Sequence, residues 1–233
     1  MASNAMEGKR RQGEHWGLIA RRHPSAFLLA AQLLSLLIYP LINDSAGGRL
    51  LFGAVALVVV PLTVWVVNRG PFVTIIAWML AIPAMALTVV GVLFAQGALL
   101  PMSALLESAL YFYAAGSLIS YMLHDHKVTA DELFAAGATF TLLAWGFAYA
   151  YYVCQAWYPG SFTGLEPDRS RRWLELLFYS FSNLSATGLG DVLPVSAPAR
   201  VLTMLEQFAG VGYIATVVSR LIGLTIVRSQ ARR

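Results

Sequence analysis

Gly188-Leu189-Gly190-Asp191 lies between two apolar segments near the C-terminal end of a 233-residue chain. Two glycines one residue apart, followed by an acid, suit neither a helix nor a strand. Glycine reaches backbone angles that other residues avoid, so successive carbonyls here can face a single axis. A column of carbonyls can replace the hydration shell of a cation. The carboxylate of Asp191 would concentrate cations at one mouth of such a column. The plainer reading is a tight turn between two helices. It leaves the preceding stretch, RWLELLFYSFSNL from Arg172 to Leu184, without a purpose. That stretch is helical by pattern, but about 20 Å of helix does not cross a hydrocarbon core of about 30 Å.

The surrounding chain is made for lipid. Apolar residues make up 58% and charged residues 12%, against about 25% charged in soluble domains. Met1 to Ala5 read as an expression scar. The basic residues that follow lead into a full-length apolar run, which predicts a first membrane helix rather than a cleaved signal. Cys154 is the only cysteine, so there is no intrachain disulfide and no cysteine metal cluster. Six apolar runs are long enough to span, at roughly 25–43, 49–68, 72–96, 100–123, 130–156 and 198–225. Pro61 and Pro83 fall inside two of them, which membrane helices tolerate. Thr129-Ala-Asp-Glu132 is a capping box that starts the fifth.

Basic residues set the orientation. Lys9, Arg10, Arg11, Arg21, Arg22, Arg69, Lys127, Arg228, Arg232 and Arg233 mark the cytoplasmic loops and both ends of the chain, while the loops 44–48 and 97–99 carry none. Arg169, Arg171 and Arg172 are the exception, placed outside beside Glu166, Asp168 and Glu175. Both termini are thus expected in the cytoplasm of a multi-pass protein of the cell (inner) membrane. The short segment before span six is then a re-entrant loop, since non-helical backbone at membrane depth must be covered by protein or line a water-filled cavity.

From Leu174 to Leu224 the chain resembles the pore module of the potassium channel superfamily: outer helix, pore helix, filter, inner helix. The closest look is to bacterial six-span members without voltage-sensing arginines. The family filter reads TVGYGD, and Ala186-Thr187-Gly188-Leu189-Gly190-Asp191 occupies those positions. Pro194, Arg200 and Gly210 follow Asp191 in the family's register. Phe178 and Tyr179 stand at a pair of pore-helix aromatics, and Gly210 at the hinge of the inner helix. The resemblance implies an all-α membrane protein: six transmembrane helices plus a re-entrant pore helix and selectivity filter, forming a fourfold symmetric tetramer. It divides the chain into a cytoplasmic segment 1–24, a four-helix domain 25–123, a pore domain 129–225 and a tail 226–233. Within the pore domain it expects a pore helix over 172–185, a filter over 186–191 and an inner helix over 198–225. It implies passive K+ permeation through filter carbonyls, with no other cofactor. A single filter strand encloses no hole, which itself calls for several copies around an axis.

The filter departs from the family pattern. Ala186 replaces the threonine whose hydroxyl helps build the innermost ion site, and Leu189 replaces the tyrosine. Thr187 replaces valine. By alternation along extended backbone it faces the pore helix rather than the axis. Phe178 cannot donate to Asp191 as the family's tryptophan does, and Ser182 sits where some members have glutamate. K+ over Na+ selectivity is therefore open, with a non-selective monovalent cation channel as the alternative. Ala186→Thr is expected to restore an innermost site and strengthen Ba2+ block. Glu206, an acid within span six, should have a partner; the resemblance places it behind the filter near Tyr179, Ser180 or Ser182. It reads as filter support or as a satisfied buried acid that aids assembly. Val211, Ile214 and Val218, by helical spacing from Gly210, are expected to line an inner cavity.

Span four carries only Glu107 as a charge, so weak or absent voltage gating is expected. Glu107 reads as a functional acid or as an interfacial one. Only nine residues follow Leu224, which predicts no cytoplasmic ligand-binding domain on this chain. His124 and His126 flank Asp125 in the linker before span five and read as a pH sensor or as a solvated linker. The basic N-terminal stretch with Trp16 suits anionic lipid headgroups, with a partner site as the alternative; no nucleic acid and no small-molecule substrate is expected. A secondary transporter would show internal repeats and an enzyme clustered reactive groups; neither pattern is present. A non-conducting scaffold stays open.

Overall fold

The computed structural model describes residues 24–38, 58–68, 73–94, 97–124, 129–166 and 169–223. The basic N-terminal segment, the loop 44–48, Arg69, the linker with His126 and the tail after Gly223 lie outside the described residues. The chain runs through α1 (Pro24–Ile38), α2 (Val58–Val67), α3 (Thr74–Leu93), a 3-10 turn (Gly97–Leu99), α4 (Leu100–His124) and α5 (Ala130–Trp157). It continues through β1 (Phe162–Thr163), α6 (Trp173–Leu184), β2 (Leu193–Pro194) and α7 (Ala197–Tyr213), which prolongs through a π turn at Ile214–Val218.

Among the described residues, four helical stretches are long and apolar enough to cross a membrane: Thr74–Gly91, Leu100–His124, Ala130–Trp157 and Ala197–Gly223. Pro24–Ile38 and Val58–Val67 are apolar but shorter, and the spans expected over 25–43 and 49–68 run into residues that are not described. Pro83 lies inside α3. Local chemistry starts the later helices. The Thr129 side chain accepts from the Glu132 N–H at 3.3 Å to cap α5. Ser196 Oγ accepts from the Ala199 N–H at 3.3 Å to cap α7, with Pro198 in the first turn.

Helix α5 is the hub of the bundle, contacting α1, α4, α6 and α7. Ala135, Ala138, Ala144 and Ala148 on α5 are fully buried. Small side chains let helix backbones approach where lipid provides no hydrophobic drive. The start of α1 meets the start of α5, because Ser25 donates from N and Oγ to the Asp131 carboxylate at 3.3 and 3.1 Å. The end of α7 meets the end of α4, where Arg220 donates to the Met122 carbonyl. One end of the bundle therefore gathers the starts of α1 and α5 and the ends of α4 and the inner helix.

Candidate functional site: the short helix, the glycine-rich stretch and the inner helix

The short helix α6 covers 12 residues, against 172–185 expected. Its start is fixed by charge. The Arg172 N–H donates to Glu175 Oε2 at 2.6 Å, and Arg169 grips both Glu175 oxygens at 2.9 and 2.8 Å. Partial burial raises the Glu175 pKa, but the bonds from Arg169 and the Arg172 N–H outweigh it and leave the carboxyl below its ordinary range. Arg171, itself buried, donates to the carbonyls of Glu166 and Arg169 and so folds the loop before the helix.

The end of α6 is a Schellman motif. The Ala186 N–H donates to the Asn183 carbonyl at 3.0 Å and the Thr187 N–H to the Ser182 carbonyl at 3.0 Å. The residue between the helix end and Thr187 must then be left-handed, and Ala186 has φ +58°. Glycine usually takes that place, because a Cβ there costs about 1–2 kcal/mol. The Ser182 carbonyl also accepts from the Gly188 N–H at 3.2 Å and from Thr187 Oγ1 at 3.1 Å. Thr187 thus turns its hydroxyl to the short helix. Gly188 is left-handed too, at φ +67°. Residues 186–191 are all exposed on the chain. None of the carbonyls of residues 186–190 accepts a hydrogen bond from the described residues. The conformation of Ala186 also corrects one expectation: threonine, β-branched, is strained at positive φ, so Ala186→Thr does not simply restore an ion site.

Behind this stretch sits a buried polar cluster. Glu206 Oε2 accepts from the Tyr151 hydroxyl at 2.5 Å, and Glu206 Oε1 contacts Ser180 Oγ. Ser180 also donates to the Ala144 carbonyl at 2.7 Å. Three contacts need three protons and the two hydroxyls bring two, so a proton on the carboxyl would complete the set. Glu206 therefore joins α5, α6 and α7. A second link lies nearby: Thr203 donates to the Ala199 carbonyl at 2.9 Å, which leaves Tyr179 as donor in its 2.8 Å contact with Thr203. Gln207 donates to Asn183 at 3.1 Å. Tyr179 stacks near Tyr151 and Phe162, with centroids 5.2 and 5.9 Å away.

Of the expected site residues, Ser182 meets Thr187 within the turn at 3.5 Å, while Tyr179 meets Thr203 and Glu206 meets Ser180 and Tyr151 in the neighbouring buried cluster. The structure leaves Phe178 half exposed on the other face of α6. Gly210 is buried against the end of α6, where an added Cβ would overlap the Leu184 carbonyl oxygen. A packing reason for glycine thus stands beside the expected hinge. The inner helix buries Ala199, Thr203, Glu206, Gly210, Tyr213 and Val217, a repeat of three and four residues that faces α5 and α6. Val211 and Ile214 are exposed, as are Val201, Met204, Leu205 and Phe208, and Val218 is half-buried. The exit of the glycine-rich stretch is tied down as well. β1 pairs antiparallel with β2, and the Val195 N–H donates to the Ser161 carbonyl at 2.9 Å.

Tyr151, Thr203, Asn183 and Gln207 were not singled out from the sequence. Thr203, Glu206 and Gln207 are polar neighbours within an apolar span, and that spacing was the available signal. Among the described residues no three His, Cys, Asp or Glu side chains converge as metal ligands.

Residues 137–226 match the family described as ion channel. No match was found among curated proteins or among solved structures. The matched segment holds most of α5, all of α6, the glycine-rich stretch and the inner helix. The helix pair, the short helix hung between them and this match make residues 137–226 of this membrane protein similar to an ion channel domain.

Proposed function

We propose that four copies of this chain form a cation channel that passes K+ passively through the stretch 186–191. The observation that carries this is the set of unengaged carbonyls from Ala186 to Gly190, beside N–H groups that are tied back to the short helix. Backbone oxygens freed in this way are what a dehydrated cation needs. A closed ring of copies follows because one strand encloses nothing, and the likeness to potassium channel pores makes the number four. It would also cover the exposed apolar side chains of the inner helix. In this reading the helices number six, α6 is re-entrant, Asp191 faces the outer mouth, and both termini are cytoplasmic in the inner membrane. The gathering of the α1 start and the inner-helix end at one end of the bundle supports that topology. Voltage sensitivity is weak, since α4 carries only one charged side chain besides its terminal histidine, Glu107.

Purified protein in liposomes, under a K+ gradient and then a matched Na+ gradient, tests the reading. Flux with K+ and not Na+, blocked by Ba2+, is expected. Equal flux with both ions would favour the non-selective reading, for which the left-handed Ala186 and its missing hydroxyl argue. No flux with either ion would sink the channel proposal.

A further inference from the structure

The inner helix is anchored twice, on either side of an irregular turn. Before the turn, the Tyr213 hydroxyl donates to the Ala136 carbonyl of α5 at 2.6 Å. After it, Arg220 donates through Nη1 to the Met122 carbonyl of α4. Between the anchors, Ile214–Val218 form a π turn, and that turn also contacts α4. Helix α4 ends at His124, so the Met122 carbonyl is among the last four, which have no partner within the helix. A guanidinium there makes a charge-assisted bond and faces the negative end of the helix dipole.

A π turn accommodates one residue more than the α register. Taking that residue out would turn everything after it by about 100°. Val217 and Leu221, now 1% and 5% exposed, would then leave the buried face. Two further side-chain bonds near the turn, from Thr216 to the Gly212 carbonyl and from Ser219 to the Ile214 carbonyl, are local to the helix. They move with it and fix nothing relative to α4. The contact of Arg220 with Met122 does fix it.

We propose that Arg220 is a positioning residue for conduction: its bond to α4 holds the last part of the inner helix in the π register, and breaking it lets that part turn toward the α register. The proposal rests on the channel reading above. It assigns the peripheral helices a direct hold on the pore-lining helix through one guanidinium, just after the irregular turn Ile214–Val218.

The test uses the full chain in liposomes on a Cys154→Ser background, with a single cysteine placed by Leu221→Cys or by Ile222→Cys. A water-soluble thiol reagent reads the register, and cation flux is followed in parallel. With Arg220 present, slow labelling at 221 and fast labelling at 222 are expected. Arg220→Met should raise the rate at 221 roughly tenfold or more, the scale of losing one charge-assisted bond, and should change the flux per assembled channel. Arg220→Lys should restore both. Deleting Thr216 supplies the α-register reference for labelling. Should Arg220→Met not assemble, Arg220→Gln, which keeps a donor and loses the charge, is expected to label at an intermediate rate. Labelling at 221 that ignores position 220 while responding to the deletion would overturn the latch. An intact labelling shift without any cation flux from the parent chain would overturn the channel reading instead.

Discussion

The helices before residue 125 and the segment after residue 128 are joined by different means. Among the described residues of the first region, long-range side-chain bonds are separate pairs rather than a chain, the Ser25–Asp131 pair among them. Thr88 donates to Glu107 at 2.9 Å, Ser108 to the Gly146 carbonyl at 2.8 Å, and Tyr113 to the Val73 carbonyl at 2.9 Å. The second region carries the chain Tyr151–Glu206–Ser180–Ala144, the pair Tyr179–Thr203, the pair Gln207–Asn183, and Gln155 held at both amide atoms by the Arg171 backbone. Full-length apolar helices satisfy their own backbone and need only fitting surfaces. A 12-residue helix ending inside the protein satisfies less of itself, so its neighbours must hold it in place with specific polar contacts.

The difference can be broken at Gly210. A methyl group there would overlap the Leu184 carbonyl, and backbone has little room to yield. Gly210→Ala is expected to cost about 3 kcal/mol or more, seen as loss of assembled protein on thermal challenge in detergent. Unchanged stability would mean that α7 and α6 do not meet so closely. Two of the buried acids, Glu206 and Glu107, sharpen the contrast. Glu206→Leu strands the Tyr151 hydroxyl and should cost about 2–3 kcal/mol, whereas Glu206→Gln can still accept from Tyr151 and donate to Ser180 and should keep most of the stability. Glu107 also bonds the Tyr149 side chain, so the clean comparison replaces Glu107, Thr88 and Tyr149 together by Leu, Val and Phe, which removes every partner and should shift stability by less than about 1 kcal/mol. Equal losses in the two regions, read by thermal unfolding, would erase the distinction.

Smaller effects follow at the two ends of α6. Ala186→Gly relieves a left-handed Cβ and should stabilise by about 1 kcal/mol. Ala186→Thr should destabilise by about 1–2 kcal/mol and leave Ba2+ block no stronger. A tighter block in the threonine variant would place residue 186 in ordinary extended backbone. At the other end, the Glu175 carboxyl lies below its ordinary value of 4.5. A depressed acid contributes stability that is complete above that value and lost as pH falls through the folded value. The thermal midpoint should therefore drop somewhat on acidification below about pH 4. Glu175→Gln should remove that component, and an identical pH profile in the variant would contradict it.

Much of this arrangement was readable from residue types. Thr129 and Glu132 announced the start of α5, and the short run RWLELLFYSFSNL gave α6 within a residue at each end. Glu206 had to have a partner, and Ser180 was among those expected. Tyr151 was not, because it lies on α5, 55 residues away, and no spacing within one helix reveals how another is rotated. The strands Phe162–Thr163 and Leu193–Pro194 are too short to leave a pattern. The left-handed Ala186 escaped notice because alanine gives no sign of positive φ. The π turn gave only a faint signal: Ile214, Thr216, Val217 and Val218 are β-branched, a type that crowds an α-helical turn.

The bond between Ser25 and Asp131 also sets an order of events. The first turn of α1 has its backbone N–H satisfied by a carboxylate 106 positions further along. At about 5–20 residues per second, that carboxylate emerges from the ribosome roughly 5–20 s after Ser25. Through that interval α1 has to sit with its first turn unfinished, open to water or lipid headgroups, until α5 arrives. Assembly of this protein therefore reaches back along the chain: α1, the first of the described helices, is locked at its start only once α5 is made.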